Sequence, residues 1–589
     1  MLLSKNFFNE ELKSNKIRGI ENFEGMNDSG RQSNTIFKSI AYPSKIYYPH
    51  IQKFIREYTE EGAVILDSFS GSGSTGIAAA IENRKAVLID DSPYAEFIQK
   101  NIFSVFQLDT IKKTYEKMIK DLKPDIDLIY ATKSGTGEVG VLQTIISSNI
   151  YKCPSCNNEM DLNNNETGVR SEYKCPNCNT KINIAEQAIK DLKVESRRPV
   201  EVILKFKDPN TKKIVKENRI VSQSDIENWD NNVAAVLEKY PELWEPDEKI
   251  VYNRSYPRVG GWPGFPIHSK VGALFSEKNL LALKIINNYI ETKIKDDNTK
   301  LFFKFVFTES LFRSSSRLFK SSGIKNVYHI PPIGKEQNVL TVFERKYKTL
   351  FKCEQFVEGL MTPEQKKNIV SIKSNARKLS FDSNLFDYAF IDPPYGGIVP
   401  YAELNLFYSA WLDEKEDLEN EINIPMDFDK KQEWAETWGN MIEEAFSEVF
   451  RVLKPGAYFT LVFQSKFDTI WNVLRDVMIN RIGFEFVDFV GNERGTTFHT
   501  NSVNDTNPQS AYITYMKPMN ISKKVMSQQL VFDFIPNNYW NEKRTFRELQ
   551  DTIITLVHKH NLQGVPSDKD IRKWIESKKI TNNNFDSRA

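Results

Sequence analysis

Four side chains about two thirds of the way along the chain have the types and order needed for one kind of group transfer. Asp392, Pro393, Pro394 and Tyr395 follow an apolar run, Tyr388 to Ile391, in DYAFIDPPYGG. An exocyclic amine on a nucleobase is a poor nucleophile, because its lone pair is delocalised into the ring. The Asp392 carboxylate and the Pro393 carbonyl can accept its two N–H bonds and turn that lone pair toward a methyl donor. Two prolines hold the backbone in an extended path, and Tyr395 offers a ring on which a flipped base can stack. The chemistry is in-line transfer, driven by positioning and free of a covalent intermediate.

A second constellation lies more than 300 residues upstream, in ILDSFSGSGSTGIAAAIENRKAVLIDD. Gly71, Gly73 and Gly76 fit the dinucleotide pattern GxGxxG, with Asp90 at the distance of a ribose acceptor. Asp67, Phe69, Gly71 and Gly73 equally fit the DxFxGxG of S-adenosylmethionine sites, with Thr75 opening the helix. The loop alone leaves both cofactors open, so a nicotinamide-linked dehydrogenase stays a rival at this point.

A third is a pair of knuckles, YKCPSCNNEM and YKCPNCNTKI, that places Cys153, Cys156, Cys175 and Cys178 about twenty residues apart. Four thiolates at this spacing suit tetrahedral zinc with no open position, hence a structural role. Cys353 reads as a small apolar core residue.

These residues require a parallel sheet to carry them. Ala63 to Leu66, the glycine loop, a helix over Thr75 to Glu82 and Ala86 to Ile89 make a βαβ unit. Ile369 to Ile372 and Tyr388 to Ile391 predict further strands, Trp438 to Val452 a helix, and Tyr458 to Phe463 a strand after the turn Lys454-Pro455-Gly456. Strand carboxyl ends are where such sheets bind ligands, so the two loops are expected to face one cleft. Roughly 250 residues of different texture separate the halves.

The chain has 589 residues, formal net charge +1 and 40% hydrophobic residues. That composition is ordinary for a globular protein, and a polyanion would have to be met by a local basic patch. No apolar run is long enough to span a bilayer, and the start lacks a secretion signal, so a cytoplasmic protein with no membrane partner is expected. FRSSSRLFKSSGIK gathers Arg313, Arg317, Lys320 and Lys325 as the leading DNA-backbone contacts. Arg197, Arg198, Lys212 and Lys213 read as ordinary surface.

Asp392 to Tyr395 and Asp67 to Gly73 together resemble the amino-methylating DNA methyltransferases. Ala41 to Pro49, AYPSKIYYP, is similar to that family's segment beside the methionine end of the cofactor, which implies Tyr42, Pro43 and Lys45 as cofactor contacts and Asp90 as the ribose acceptor. IVPYAELNLFYSAWL, VGALFSEKNLLAL and the paired cysteines resemble the zinc-ribbon adenine-specific DNA methylases of prokaryotes. The resemblance covers most of residues 35 to 515.

It implies an α/β class I methyltransferase fold, Rossmann-like, with a mostly parallel seven-stranded sheet and an antiparallel edge hairpin. A large α+β insertion with the zinc ribbon splits that sheet. The expected divisions are an N-terminal extension (1–34), the cofactor half (35–115), a target-recognition insertion (116–360, ribbon at 151–182), the catalytic half (361–519) and a C-terminal extension (520–589). The implied reaction moves the methyl of S-adenosylmethionine to adenine N6 in double-stranded DNA. Cytosine N4 is the alternative, a non-catalytic DNA-binding protein a more distant one, and restriction or phage-defence subunits are candidate partners. Ser374 and Asn375 depart from the family, which often carries there an acid contacting the cofactor adenine.

Overall fold

The computed structural model describes residues 3, 5–13, 34–43, 45–169, 171–183, 194–250, 270–315, 331, 333–395, 399–422, 431–465, 468–492, 510–519, 544–545, 549, 552–553, 556 and 585–586. It divides into two compact units: Met1–Phe103, Phe356–Pro400 and Asp417–Ala589 form the first, Ser104–Gln355 and Tyr401–Glu416 the second.

The first unit is built on seven strands: β1 (Val64–Asp67), β2 (Lys85–Asp90), β3 (Ile369–Lys373), β4 (Phe386–Ile391), β5 (Leu453–Gln464), β6 (Glu485–Asn492) and β7 (Ser510–Met516). Their order is β3-β2-β1-β4-β5-β7-β6. The first five run parallel, and β7 lies antiparallel between β5 and β6. Every residue of β1 and β4 is buried. Central parallel strands are covered on both faces, which is why VILD and FDYAFI show no polar alternation. β5 begins five residues earlier than the sequence suggests, because Lys454-Pro455-Gly456 is a bulged strand start, with Gly456 at φ +81° and a register shift opposite Phe386 and Tyr388.

Helices α1 (Tyr48–Tyr58), α2 (Ser74–Ile81), α3 (Pro93–Phe103), α4 (Lys431–Val452) and α5 (Asp468–Arg475) belong to the same unit. Trp438, Ile442 and Phe446 of α4 share one core with Phe386, Ala389, Phe459 and Leu461 of the sheet. Phe54 of α1 packs on Tyr512 and Phe390.

Residues 5–13, assigned by sequence to a separate extension, are stitched to this sheet. Asn9 Nδ2 donates to Asp387 Oδ2 (2.8 Å), and Lys13 N and Lys454 Nζ donate to Asp387 Oδ1 (3.0 and 2.7 Å). Val64 N completes the set at 2.8 Å. A fully buried carboxylate needs such a complement of donors, and part of it comes from the N-terminal segment.

The second unit carries an antiparallel sheet whose main path runs Ile333–Gln337, Val139–Lys152, Val194–Lys207, Ile214–Ile220, with Ala131–Lys133 and Glu159–Asp161 paired to Val139–Lys152. Its helices include Leu108–Ile129, Gln223–Leu237, Glu277–Lys293 and Asp297–Ser314. Tyr401–Glu416, placed by sequence in the catalytic half, clusters with this unit. The cause is aromatic packing: Phe407 stacks on Phe275, and Trp411 meets the edges of Phe275 and Phe307. Arg197, expected at the surface, is half-buried and donates to Asn149 Oδ1 and the Pro331 carbonyl.

Candidate functional site

The glycine loop joins β1 to α2. Gly71 and Gly73 adopt φ of +46° and +81°, conformations that side chains with a β-carbon resist. A Cβ on Gly71 would come within 2.9 Å of the Tyr42 ring. Gly76 differs in kind: its φ is helical, and a Cβ there would press on Leu88, Phe103 and Ile369 at 2.7–2.9 Å. Gly71 and Gly73 shape the loop, whereas Gly76 lets α2 approach the sheet.

Two strand-end carboxylates hold this loop. Asp67 Oδ1 accepts from Phe69 N at 3.1 Å and Oδ2 from Thr75 Oγ1 at 2.5 Å. Asp90 Oδ2 accepts from Gly71 N at 2.7 Å and Oδ1 from Ser92 N at 3.1 Å. Burial pushes Asp67 up to about 7, with the neighbouring Asp392 charge adding to it and the bonds from Thr75 and Phe69 opposing. Burial likewise lifts Asp90 to about 6, against the Gly71 and Ser92 bonds, with Asp67 and Glu421 as further repulsive charges. Asp91 stands at about 7 through burial, Asp90 and Asp417. Carboxyls whose ionisation is opposed in this way favour a cationic or hydroxyl-bearing ligand. The methionine end and ribose of S-adenosylmethionine have that chemistry, so the residues fit the cofactor.

Tyr42 stacks on Tyr94 with ring centres 6.5 Å apart. Pro43 is half-buried in the adjoining turn. Lys45 turns to its own neighbourhood, donating to the carbonyls of Phe37 and Ile40 and lying 4.5 Å over the Phe37 ring. Phe69 packs against the sheet core. Sequence reasoning missed Gln99 on α3, whose Nε2 donates to Ser70 Oγ (2.9 Å) and the Gly71 carbonyl (2.8 Å). Nothing in its helical context marks it. At the departure noted in the sequence, Ser374 N bonds the Asp90 carbonyl at 2.9 Å, and Asn375 Oδ1 accepts from Arg377 N at 2.8 Å.

Asp392 to Tyr395 leave β4, the immediate parallel neighbour of β1. The Tyr395 hydroxyl donates to Asp392 Oδ1, and its ring meets the edge of Phe463 at 5.3 Å. Trp438 Nε1 donates to the Pro394 carbonyl at 3.1 Å, and the Trp438 ring also packs on Phe463. Pro393 is buried, while Asp392, Pro394 and Tyr395 are half-exposed. The prolines stiffen the loop from within and Trp438 braces it from α4, a residue 44 positions away that no local motif signals.

In the second unit, the four cysteine sulfurs lie within 4.8 Å of one another, with Cys153–Cys178 and Cys156–Cys175 both at 3.6 Å. Tetrahedral zinc with bonds of about 2.3 Å puts sulfurs roughly 3.8 Å apart, so the set fits the ion. The knuckles match in detail: Asn157 N bonds Cys153 O, Asn179 N bonds Cys175 O, and both asparagines have φ near +60°. Cys353 is buried, apart from this cluster. Arg313 is exposed in the last turn of Asp297–Ser314. Arg317, Lys320 and Lys325 lie outside the described residues. Among the described residues no helix is long and apolar enough to cross a membrane.

The strand order β3-β2-β1-β4-β5-β7-β6, with a glycine loop after β1 and an acid ending β2, defines a class I methyltransferase fold. Residues 7–100 match the profile of a DNA methylase family that spans the N6 and N4 enzymes, and this match supports a DNA methyltransferase acting on adenine N6 or cytosine N4. No curated protein matches the chain.

Similar solved structures include a SAM-dependent methyltransferase from Methanosarcina mazei, at 17% identity over 26% of this chain and 68% of that one. The cyclase SpnF matches at 14% identity over 31% and 64%. A geranyl diphosphate C-methyltransferase from Streptomyces coelicolor A3(2) matches at 11% over 31% and 60%. All three have a TM-score of 0.15, so the class rests on the strand order and the family match.

Proposed function

We propose that this protein transfers the methyl group of S-adenosylmethionine to adenine N6 in double-stranded DNA. One observation carries the reading: Asp392-Pro393-Pro394-Tyr395 emerges from the strand beside β1, so that the Asp392 charge acts on Asp67 at the foot of the glycine loop. An acceptor-side loop of this composition has no use in hydride transfer, which favours S-adenosylmethionine over a dinucleotide as the ligand of the glycines.

S-adenosylmethionine supplies an electrophilic methyl when bound. Asp67 and Asp90, with Gly71 and Gly73, would hold it, beside Tyr42, Pro43, Phe69 and Thr75. Asp392 and the Pro393 carbonyl would accept hydrogen bonds from the target amine's two N–H groups, while Tyr395 exchanges its bond to Asp392 for stacking on the base. As the amine nitrogen bonds the methyl carbon the methyl–sulfur bond breaks, S-adenosylhomocysteine leaves and one amine proton passes to solvent. An aspartate at the first motif position is the family's tendency for adenine. The four cysteines bind structural zinc, and the insertion carrying them serves target recognition, with Arg313, Arg317, Lys320 and Lys325 on the DNA backbone.

Tritium transfer from labelled S-adenosylmethionine to duplex DNA tests this. Wild type transfers, Asp392→Ala loses at least about a hundredfold, and nucleoside analysis of the product gives N6-methyladenine. Transfer retained in Asp392→Ala refutes the catalytic assignment, and N4-methylcytosine refutes the base.

A further inference from the structure

The exposed face of the antiparallel sheet in the second unit concentrates lysines where the fold gains nothing from them. Lys205 and Lys216 are directly opposite each other on adjacent strands. Lys207 follows on the same face, opposite Ile214. Val141 pairs with Lys205, and Val139, also on this face, pairs with Lys133 on the far edge. Lys133, Lys205, Lys207 and Lys216 are all exposed, and none of their ammonium groups forms an ion pair among the described residues.

Like charges directly opposite across strands disfavour the pairing. The acids of the hairpin do not relieve them. Asp208 Oδ1 is taken by the turn itself, accepting from Asn210 N, Thr211 N and Thr211 Oγ1 at 2.6–3.0 Å. Glu217 lies on the opposite face and accepts from Gly135 N at 2.9 Å. Lys212 and Lys213 extend the positive charge around the turn, so five of the twelve residues from Lys205 to Lys216 are lysines against one aspartate.

We infer that this lysine face is a contact surface for the phosphate backbone of duplex DNA, an inference that rests on the reading under Proposed function. Strand spacing and pleat set the ammonium-bearing stems roughly 5–7 Å apart in two directions. Val139 and Ile214 stand exposed among these lysines, whose charged heads stay in solvent. The face offers no arginine fork or aromatic ring, so it suits positioning on phosphates rather than reading bases. A protein of net charge +1 requires such a local patch to hold a polyanion.

The test measures affinity of the full chain for a 24-base-pair duplex by fluorescence anisotropy across salt concentrations. A K133Q/K205Q/K207Q/K216Q variant is expected to bind at least about tenfold more weakly at low salt, with the slope of log K against log salt reduced by about 3. Its turnover at saturating DNA stays unchanged. A matched K112Q/K113Q/K117Q/K120Q variant on the helix Leu108–Ile129 keeps the wild-type slope, and thermal melting checks that both variants fold. Wild-type slope and affinity in the first variant overturn the inference, including the case in which the face serves an acidic protein instead. If that happens while wild type still methylates DNA, only this inference falls. A wild type that neither binds nor methylates duplex DNA removes the proposed function and this surface with it.

Discussion

Gly71 donates its backbone N–H to Asp90 Oδ2 at 2.7 Å, so the acid whose position suggests a ribose contact also fastens the glycine loop to the end of β2. Asp90→Ala is therefore expected to loosen the loop as well as remove a ligand contact. S-adenosylhomocysteine affinity measured by calorimetry should fall at least about tenfold, and Asp90→Glu should not restore it. Unchanged affinity would show that the loop keeps its shape without this carboxylate.

Asp67 at about 7 and Asp90 at about 6 stand above the ordinary aspartate value of about 3.9. For a carboxyl raised by folding, the stabilising contribution is full below the ordinary value and is lost as pH rises through 6 to 7. The ligand-free protein should melt at a higher temperature at pH 6 than at pH 8, and Asp67→Asn should reduce that difference. Binding of S-adenosylhomocysteine, whose ammonium favours the ionised carboxylates, should tighten over the same interval. A pH-independent affinity would argue that the ammonium is held elsewhere.

Gly71→Ala and Gly76→Ala should separate binding from stability. At Gly76 the new methyl would overpack Leu88, Phe103 and Ile369, a loss of about 1–3 kcal/mol visible in urea unfolding. At Gly71 the positive φ and the Tyr42 ring direct the damage to the ligand loop, so affinity should drop more than stability. The reverse pattern would exchange the two roles assigned here.

Lys454 and Asp387 form an ion pair whose side chains are 7% and 0% exposed. Removing one partner of a buried pair costs about 3–5 kcal/mol, so Asp387→Ala should be severely destabilised. Asp387→Ala combined with Lys454→Met should recover part of the loss. Deleting residues 1–13 should also destabilise the sheet, since Asn9 and Lys13 complete the Asp387 shell. Stability unaffected by that deletion would mean the N-terminal segment is an accessory.

The cysteine cluster should bind one zinc per chain, released by mercurial titration and detected with a colorimetric chelator. Cys153→Ala/Cys156→Ala should lose the metal, and Cys353→Ala should keep it. Chelation should expose the ribbon around Cys153 to Cys178 to protease while the first unit stays resistant. Stoichiometric zinc in the double variant would refute the site.

Particular residues show how much was legible in the sequence. Four of the five parallel strands could be read to within two residues of their ends, because buried parallel strands are continuous apolar runs and VILD, AVLID and YAFID stand out from polar surroundings; the bulged start of β5 hid its first five residues. Asp67, Gly71, Gly73, Asp392 and the four cysteines were visible because each belongs to a short motif whose spacing is itself chemical. Gln99, Trp438 and Asp387 were not, since each acts through a partner distant in sequence and looks locally like an ordinary helix or strand residue. Lys212 and Lys213 looked like surface charges. Only the register setting Lys205 against Lys216, with the hairpin acids engaged elsewhere, turns that neighbourhood into a surface with a purpose.

The amino-acid sequence by itself determined the chemistry available to this protein, through a glycine turn, a rigid acceptor loop and four thiolates, because these depend on residue type and local spacing. Tertiary structure decided which carboxylates are buried together, how the N-terminal segment joins the sheet and where Tyr401–Glu416 belongs. Those outcomes depend on desolvation and packing between residues hundreds of positions apart, and no local pattern encodes them.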